Sequence, residues 1–253
     1  MSSSVPHRHL WSPDRLSSAD LQALLDATVA LKRAKQRDPG WGPLRGRHLA
    51  LLTQGTDDAA SAFARAVHEL GGTVTLLDAH DWLSSAGARI ADAARMLGRL
   101  YDAIDCCGLA PATIEQIDAH CGVPVFNGLA RSDHPINALC DLLTMREASG
   151  KPLRETRLQI AGDAAMGAHA ATVLARLAGV QVQREAASLV PEAIGAAGLI
   201  SIGPDFILDV SATSAQARLV RADAAPLQQA QLSALLADNR VRALQAAIVC
   251  GIH

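Results

Sequence analysis

Apolar and polar positions in this chain alternate between two periods. Short β-branched or leucine-rich runs fall at 47–53, 73–77, 103–106 and 123–126, each ended by Gly, Asn or Asp, as buried strands opening onto loops do. Between them the spacing is helical. Leu21, Leu24, Leu25 and Leu31 line one face after the capping-box-like Ser17-Ser18-Ala19-Asp20. Phe63, Ala66, Val67 and Leu70 point inward from a helix over 59–70, closed by Gly71-Gly72. Further helices are expected over 90–100 and 114–120, and from Pro135 onward, where Ile136, Leu139, Leu142 and Leu143 recur at helical spacing. The second half repeats the alternation, with strands at 157–161, 180–183, 199–202 and 206–210 and a helix over 165–177. Two helices, 227–237 and 238–249, close the chain.

Strand and helix in strict alternation predict an α/β protein with mainly parallel sheets flanked by helices. Gly150-Lys151-Pro152 is the best boundary between two domains, 1–150 and 151–237. The terminal helix, 238–253, is expected to return to the first domain. Hydrophobic residues make up 49% of the 253 and charged residues 19%, a balance suited to a globular core. A net charge of -2 and an aromatic content of 3% give no basic, base-stacking surface, so a nucleic-acid partner is not expected. No apolar run approaches a membrane span, and the first residues lack a signal-peptide core; no membrane partner and a cytoplasmic location are expected. The five cysteines lack zinc-type spacing and read as reduced and buried, so no metal is expected. The turn Gly162-Asp163-Ala164-Ala165-Met166-Gly167 lacks the dinucleotide-binding glycine spacing, and no cofactor is expected.

The stretch 123–150, VPVFNGLARSDHPINALCDLLTMREASG, carries the chemistry. His134 falls at the start of a helix, beside free backbone N–H groups and the positive end of the helix dipole, where an anionic or carbonyl-bearing ligand is favoured. A cap and nothing more is the competing reading. The run of strand, Asn-Gly-Leu, polar loop, His-Pro-x-Asn and Ala-Leu-x-Asp-Leu-Leu-Thr-x-Arg-Glu resembles the aspartate/ornithine carbamoyltransferase family, ornithine type. The resemblance covers most of the chain and is strongest over 90–147. It implies that His134 and Asn137 occupy the positions that hold the carbamoyl group, Asn137 being a shortened amide where the family has Gln. It also implies that Arg240, in Asp238-Asn239-Arg240, matches an arginine touching carbamoyl phosphate, and that the protein is a homotrimer assembled through its first domain.

Other family motifs are replaced. Where the family grips phosphate with Ser-Thr-Arg-Thr-Arg, this chain has Thr56-Asp57-Asp58-Ala59-Ala60. Two lost arginines would weaken a phosphate by roughly 3–6 kcal/mol. The simpler role of Asp57 and Asp58 is helix capping. The flexible loop that reaches a neighbouring subunit matches 82–89, where Leu83-Ser84-Ser85-Ala86-Gly87-Ala88 keeps one glycine and drops the family's arginine, Cys107 stands where the family has arginine, and Asp209-Val210-Ser211-Ala212 replaces His-Cys-Leu-Pro. The resemblance therefore implies an ornithine carbamoyltransferase-like protein that has lost most ligands for carbamoyl phosphate and ornithine. Such a protein would bind a small zwitterionic or carboxamide metabolite through His134, Asn137, Arg240, Thr56, Asp57 and Asp58, or serve as a structural or regulatory partner. The alternative is a carbamoyltransferase or other enzyme with a rebuilt cleft acting on an amino-acid-like substrate, with Asp57, Asp58, His134, Asp163 or Asp209 as new acids and bases.

Overall fold

The computed structural model describes residues 5–54, 58–86, 90–162, 165–184, 204–210, 218–222 and 224–252. Two 3-10 turns, His7–Trp11 and Pro13–Arg15, precede α1 (Ser18–Arg37). Ser17 caps α1 through the expected reciprocal box with Asp20. The first sheet is built from β1 (His48–Thr53), β2 (Thr73–Asp78), β3 (Ala103–Cys106) and β4 (Val125–Phe126), all parallel, in the order β2-β1-β3-β4. Its crossovers are α2 (Asp58–Glu69), α3 (Ala79–Ala86) with α4 (Ile90–Leu100), and α5 (Pro111–Cys121).

Helices on both faces explain why β1 reads as a continuous apolar run. Leu49 and Leu51 join one buried cluster with Phe63 and Val67, while Ala50 and Leu52 join the other with Leu97, Ile104 and Ile117. α4 and α5 approach so closely that a Cβ on Gly98 would lie 1.7 Å from the Cys121 carbonyl oxygen. Only glycine fits there.

After β4 the chain forms α6 (Ile136–Ser149), which ends at Gly150 in the left-handed conformation. The second sheet comprises β5 (Arg157–Ala161), β6 (Gln181–Arg184), β7 (Phe206–Asp209) and β8 (Arg218–Arg221), in the order β6-β5-β7-β8. α7 (Ala165–Leu177) connects β5 to the parallel β6. β8, which sequence pattern does not reveal, runs antiparallel to β7. The larger apolar cluster is continuous between the sheets, joining Leu139 and Leu143 of α6 to Leu158, Ile160, Leu174 and Phe206. No described helix is long and apolar enough to cross a membrane. The expected strand at 199–202 lies outside the described residues.

Two expectations are corrected. The segment from Trp82 was expected to be loop; instead α3 continues through it to Ala86. The terminal helix does not begin at Asp238. α8 is one helix, Pro226–Ile252, and it packs along α1, α6 and α2 as well as β8. Asp238-Asn239 was expected to open the terminal helix, yet Asn239 is fully buried in mid-helix. Tertiary partners outweigh its capping preference: it accepts a hydrogen bond from Lys32 Nζ at 2.8 Å and donates to Thr144 Oγ1 at 3.0 Å and Glu147 Oε2 at 3.1 Å. Farther along, Gln245 donates to the Ala66 carbonyl at 3.3 Å and Glu69 Oε2 at 3.0 Å, and Cys250 O accepts from Val5 N at 3.3 Å. α8 thus returns to the first sheet.

Truncating Asn239 removes one partner each from the buried Thr144 hydroxyl, which still donates to the Cys140 carbonyl, and from Lys32, which still pairs with Glu147 and Asp238. Asn239→Ala is expected to lose about 2–4 kcal/mol of stability in urea unfolding. A loss below about 0.5 kcal/mol would show that this polar seam does not hold α8.

Candidate functional site

The site is built by the loop between β4 and α6. Asp105, buried at the end of β3, accepts the backbone N–H of Gly128 at 2.7 Å and of Leu129 at 3.3 Å. Burial pushes its carboxyl up to about 6, against the pull of those N–H groups. Gly128 has φ +88°, and a Cβ there would meet Arg131 Cδ at 2.6 Å, so the Asn127-Gly128 turn needs glycine. From the far end, Asn137 Nδ2 donates to the carbonyls of Arg131, Ser132 and His134 at 2.8, 3.0 and 3.2 Å. Two N–H donors are shared among three loop acceptors. Asn137 therefore clasps the loop with its nitrogen.

This loop forms one wall of a cavity of about 610 Å³; α2 supplies Asp58, Ala59, Ala62 and Arg65, and α8 supplies Ala237, Arg240, Val241 and Leu244. Asp58, Asn137 and Arg240, three of the residues picked out from sequence, are brought together here. Thr56, Asp57 and Asp163 lie outside the described residues. Asp209 ends β7 in the second sheet, apart from the cavity lining.

His134 takes a different position. It is buried and absent from that lining; it faces a smaller cavity of about 110 Å³ together with Trp11, Asn127 and His169. Both ring nitrogens are engaged. Ile136 N donates to His134 Nδ1 at 3.1 Å, so Nδ1 carries no proton and the hydrogen sits on Nε2. Nε2 is 3.0 Å from Asn127 Oδ1, and Asn127 Nδ2 in turn donates to the Trp11 carbonyl at 2.9 Å. Burial lowers the imidazole pKa to about 4, outweighing the nearby Asp133 carboxylate, so the ring is neutral at physiological pH. Pro135 is the N-cap of α6 and does not open the helix, and the imidazole, one residue before the cap, accepts the first helical N–H from Ile136.

Sequence reasoning missed several charged residues here. Arg131 lines both cavities and donates to Asp133 from Nε and Nη2, each at 2.9 Å, a bidentate pair that holds the Asp133 carboxyl below its usual range. Arg65 was available from spacing: Asp58, Ala62 and Arg65 recur at four and three residues and share one face of α2. Among the described residues the charged groups on the lining are three arginines and two aspartates. No group of three or more His, Cys, Asp or Glu suited to a metal ion occurs among the described residues. All five cysteines are free and buried.

A family model described as "Aspartate/ornithine carbamoyltransferase, carbamoyl-P binding domain" matches residues 8–147. The catabolic ornithine carbamoyltransferase of Pseudomonas putida is 36% identical over 165 residues, which are 65% of this chain and 49% of that protein. The catabolic enzyme of Burkholderia mallei is 38% identical over the same shares. This chain spans about half the length of the curated relatives it matches. Among solved structures, ornithine carbamoyltransferase from Pyrococcus furiosus aligns with a TM-score of 0.61 at 27% identity, covering 72% of this chain and 58% of that one.

Asp141 lies one turn beyond Asn137 on α6, buried, and its Oδ1 has no hydrogen-bond partner among the described residues. Burial raises its carboxyl to about 7, with the Arg240 charge opposing that rise. Below the unfolded value of 3.8 both folded and unfolded chains hold this proton. As the pH rises from about 4 to 7 the unfolded chain releases it first, so the group lowers stability across that window, by about 4 kcal/mol at most once ionised. Asp141→Asn should therefore match the wild type near pH 4 and gain stability progressively to pH 8, read from urea midpoints. A difference that does not change with pH would contradict the burial of a titrating carboxyl here.

Proposed function

Since this chain belongs to the aspartate/ornithine carbamoyltransferase family, we propose that it is a member without ornithine carbamoyltransferase activity, and that its cleft binds a small zwitterionic or carboxamide-bearing metabolite. The single observation that carries this reading is the state of His134. A residue that polarises a carbamoyl carbonyl must present a proton to it. Here Nδ1 is occupied by the Ile136 N–H, and the Nε2 proton is directed at Asn127 inside the protein. The start of α2 agrees: its first turn offers Asp58 and alanines in place of the family's phosphate-gripping arginines.

The cavity remains large enough for an amino-acid-sized ligand, and its mixed charges suit one bearing both signs. In this reading the chain divides into a carbamoyl-phosphate-binding-like unit, 1–150 with the end of α8, and a shortened amino-acid-binding-like unit, 151–237. A cytoplasmic location belongs to the same proposal.

Incubation with carbamoyl phosphate and L-ornithine is expected to give no citrulline above a His134→Ala control. Thermal-shift measurements with amino acids, ureido acids and carbamoyl phosphate are expected to show stabilisation by the first two classes and not by the third. Turnover abolished by His134→Ala would overturn the loss of activity; silence across the panel would overturn metabolite binding and leave a structural partner.

We also propose a homotrimer assembled through the first unit. Leu76 on β2 and Met96 and Leu100 on α4 are exposed at 45%, 54% and 59%, and they account for three of the four large exposed hydrophobic residues described. Sedimentation at micromolar concentration should return three times the chain mass of 26.4 kDa. A monomer would rule the assembly out.

A further inference from the structure

Arg65 is the cavity residue that neither sequence motif nor local structure explains. It stands on the exposed face of α2, one turn before Glu69, and among the described residues it makes no ion pair or hydrogen bond. The other cations of the cavity have nearby carboxylates. Arg131 is held bidentately by Asp133, and Arg240 interacts with the buried Asp141. α2 and α8 are fixed against each other just beyond the cavity, where Arg242 Nη1 meets Glu69 Oε2 at 3.2 Å and Gln245 meets the Ala66 carbonyl at 3.3 Å. Arg65 and Arg240 therefore line one cavity from two helices whose spacing is set by these contacts, with Asp58 on the same face of α2.

Resting on the reading that this cavity binds a metabolite, we propose that Arg65, with Arg240, reads the carboxylate of an α-amino-acid-type ligand whose ammonium group is taken by Asp58. Charge decides between a carboxylate and a phosphate. Among the described residues the lining carries three arginines against Asp58 and Asp133, one positive charge in excess. A phosphate dianion would exceed it and would lie beside two carboxylates, whereas a carboxylate satisfies it and a ligand ammonium meets Asp58. Guanidinium binds carboxylate through paired N–H donors, so removing one of two arginines should lower affinity about tenfold or more. Asn137, whose nitrogen is spent on the loop, contributes its carbonyl oxygen as an acceptor for a ligand N–H.

The test is calorimetry on the full chain and on Arg65→Gln, using L-citrulline, its α-carboxamide and inorganic phosphate as probes. The wild type should bind L-citrulline at least tenfold more tightly than the carboxamide, and Arg65→Gln should bring the two within about twofold of each other while barely changing the carboxamide. Arg65 is solvent-facing on α2, and an unchanged melting temperature for Arg65→Gln confirms that folding is intact. Undiminished discrimination in Arg65→Gln overturns the assignment but leaves metabolite binding standing. Phosphate binding tighter than L-citrulline, and lost in Arg65→Gln, overturns the carboxylate in favour of a phosphate. Failure of the wild type to bind any probe removes the cavity as a metabolite site, and the role of Arg65 falls with it.

Discussion

The hydrogen-bond chain from Trp11 through Asn127 and His134 to Ile136 is the constraint on which the rest of the site depends. It joins three separate parts of the sequence: the amino-terminal 3-10 turn, the end of β4 and the start of α6. Each group in the chain has one role available to it. Asn127 must donate to the Trp11 carbonyl, so its oxygen accepts from His134; His134 must accept from Ile136, so its proton sits on Nε2. Protonating His134 would place a charge in a buried site, which is why its pKa falls to about 4, and it would also destroy the Ile136 contact. A ring used in this way holds the loop and accepts the first N–H of α6, with its remaining proton turned toward Asn127.

With the loop held, the cavity follows. Asp105 and Asn137 fix its two ends, and the bidentate Arg131–Asp133 pair stiffens its middle. The opposite wall comes from α8, the last element of the chain, seated on the first sheet by the Lys32–Asn239–Thr144 seam and by Gln245. Because α8 also touches β8, one helix bridges both sheets. Its Arg240 lines the cavity, and its charge acts on a carboxyl, Asp141, that burial keeps from ionising readily. The charges of the cleft are thus set by elements distant in sequence and fixed by packing.

Much of the fold was legible from pattern. The strands near 48, 73, 103 and 157 and the helices at 90–100 and 165–177 sit where period and punctuation place them, because each is long, apolar on a defined face and closed by Gly or a cap. Failures came where tertiary contacts override local preference: a new helix was expected to open at Asp238-Asn239, where Asn239 is buried in mid-helix, and β8 is too short and polar to announce itself. At the site, sequence placed Asp58, Asn137 and Arg240 beside one another through resemblance alone. It could not show that His134 turns to the other side of its loop, since that depends on the Asn127 amide and the Trp11 carbonyl, more than a hundred residues apart. Arg65 was visible as the third member of a helical stripe, but a charged residue on an amphipathic helix ordinarily faces solvent.

The central claim, that His134 is a structural imidazole and takes no part in chemistry, is most directly tested by its ring 15N chemical shifts. Followed by NMR from pH 8 downward, with and without carbamoyl phosphate, the ring should remain a neutral Nε2–H tautomer, titrate with a midpoint near 4, and stay unmoved by the ligand. A midpoint at or above the ordinary value of 6.5, or a change of tautomer on adding carbamoyl phosphate, would contradict it.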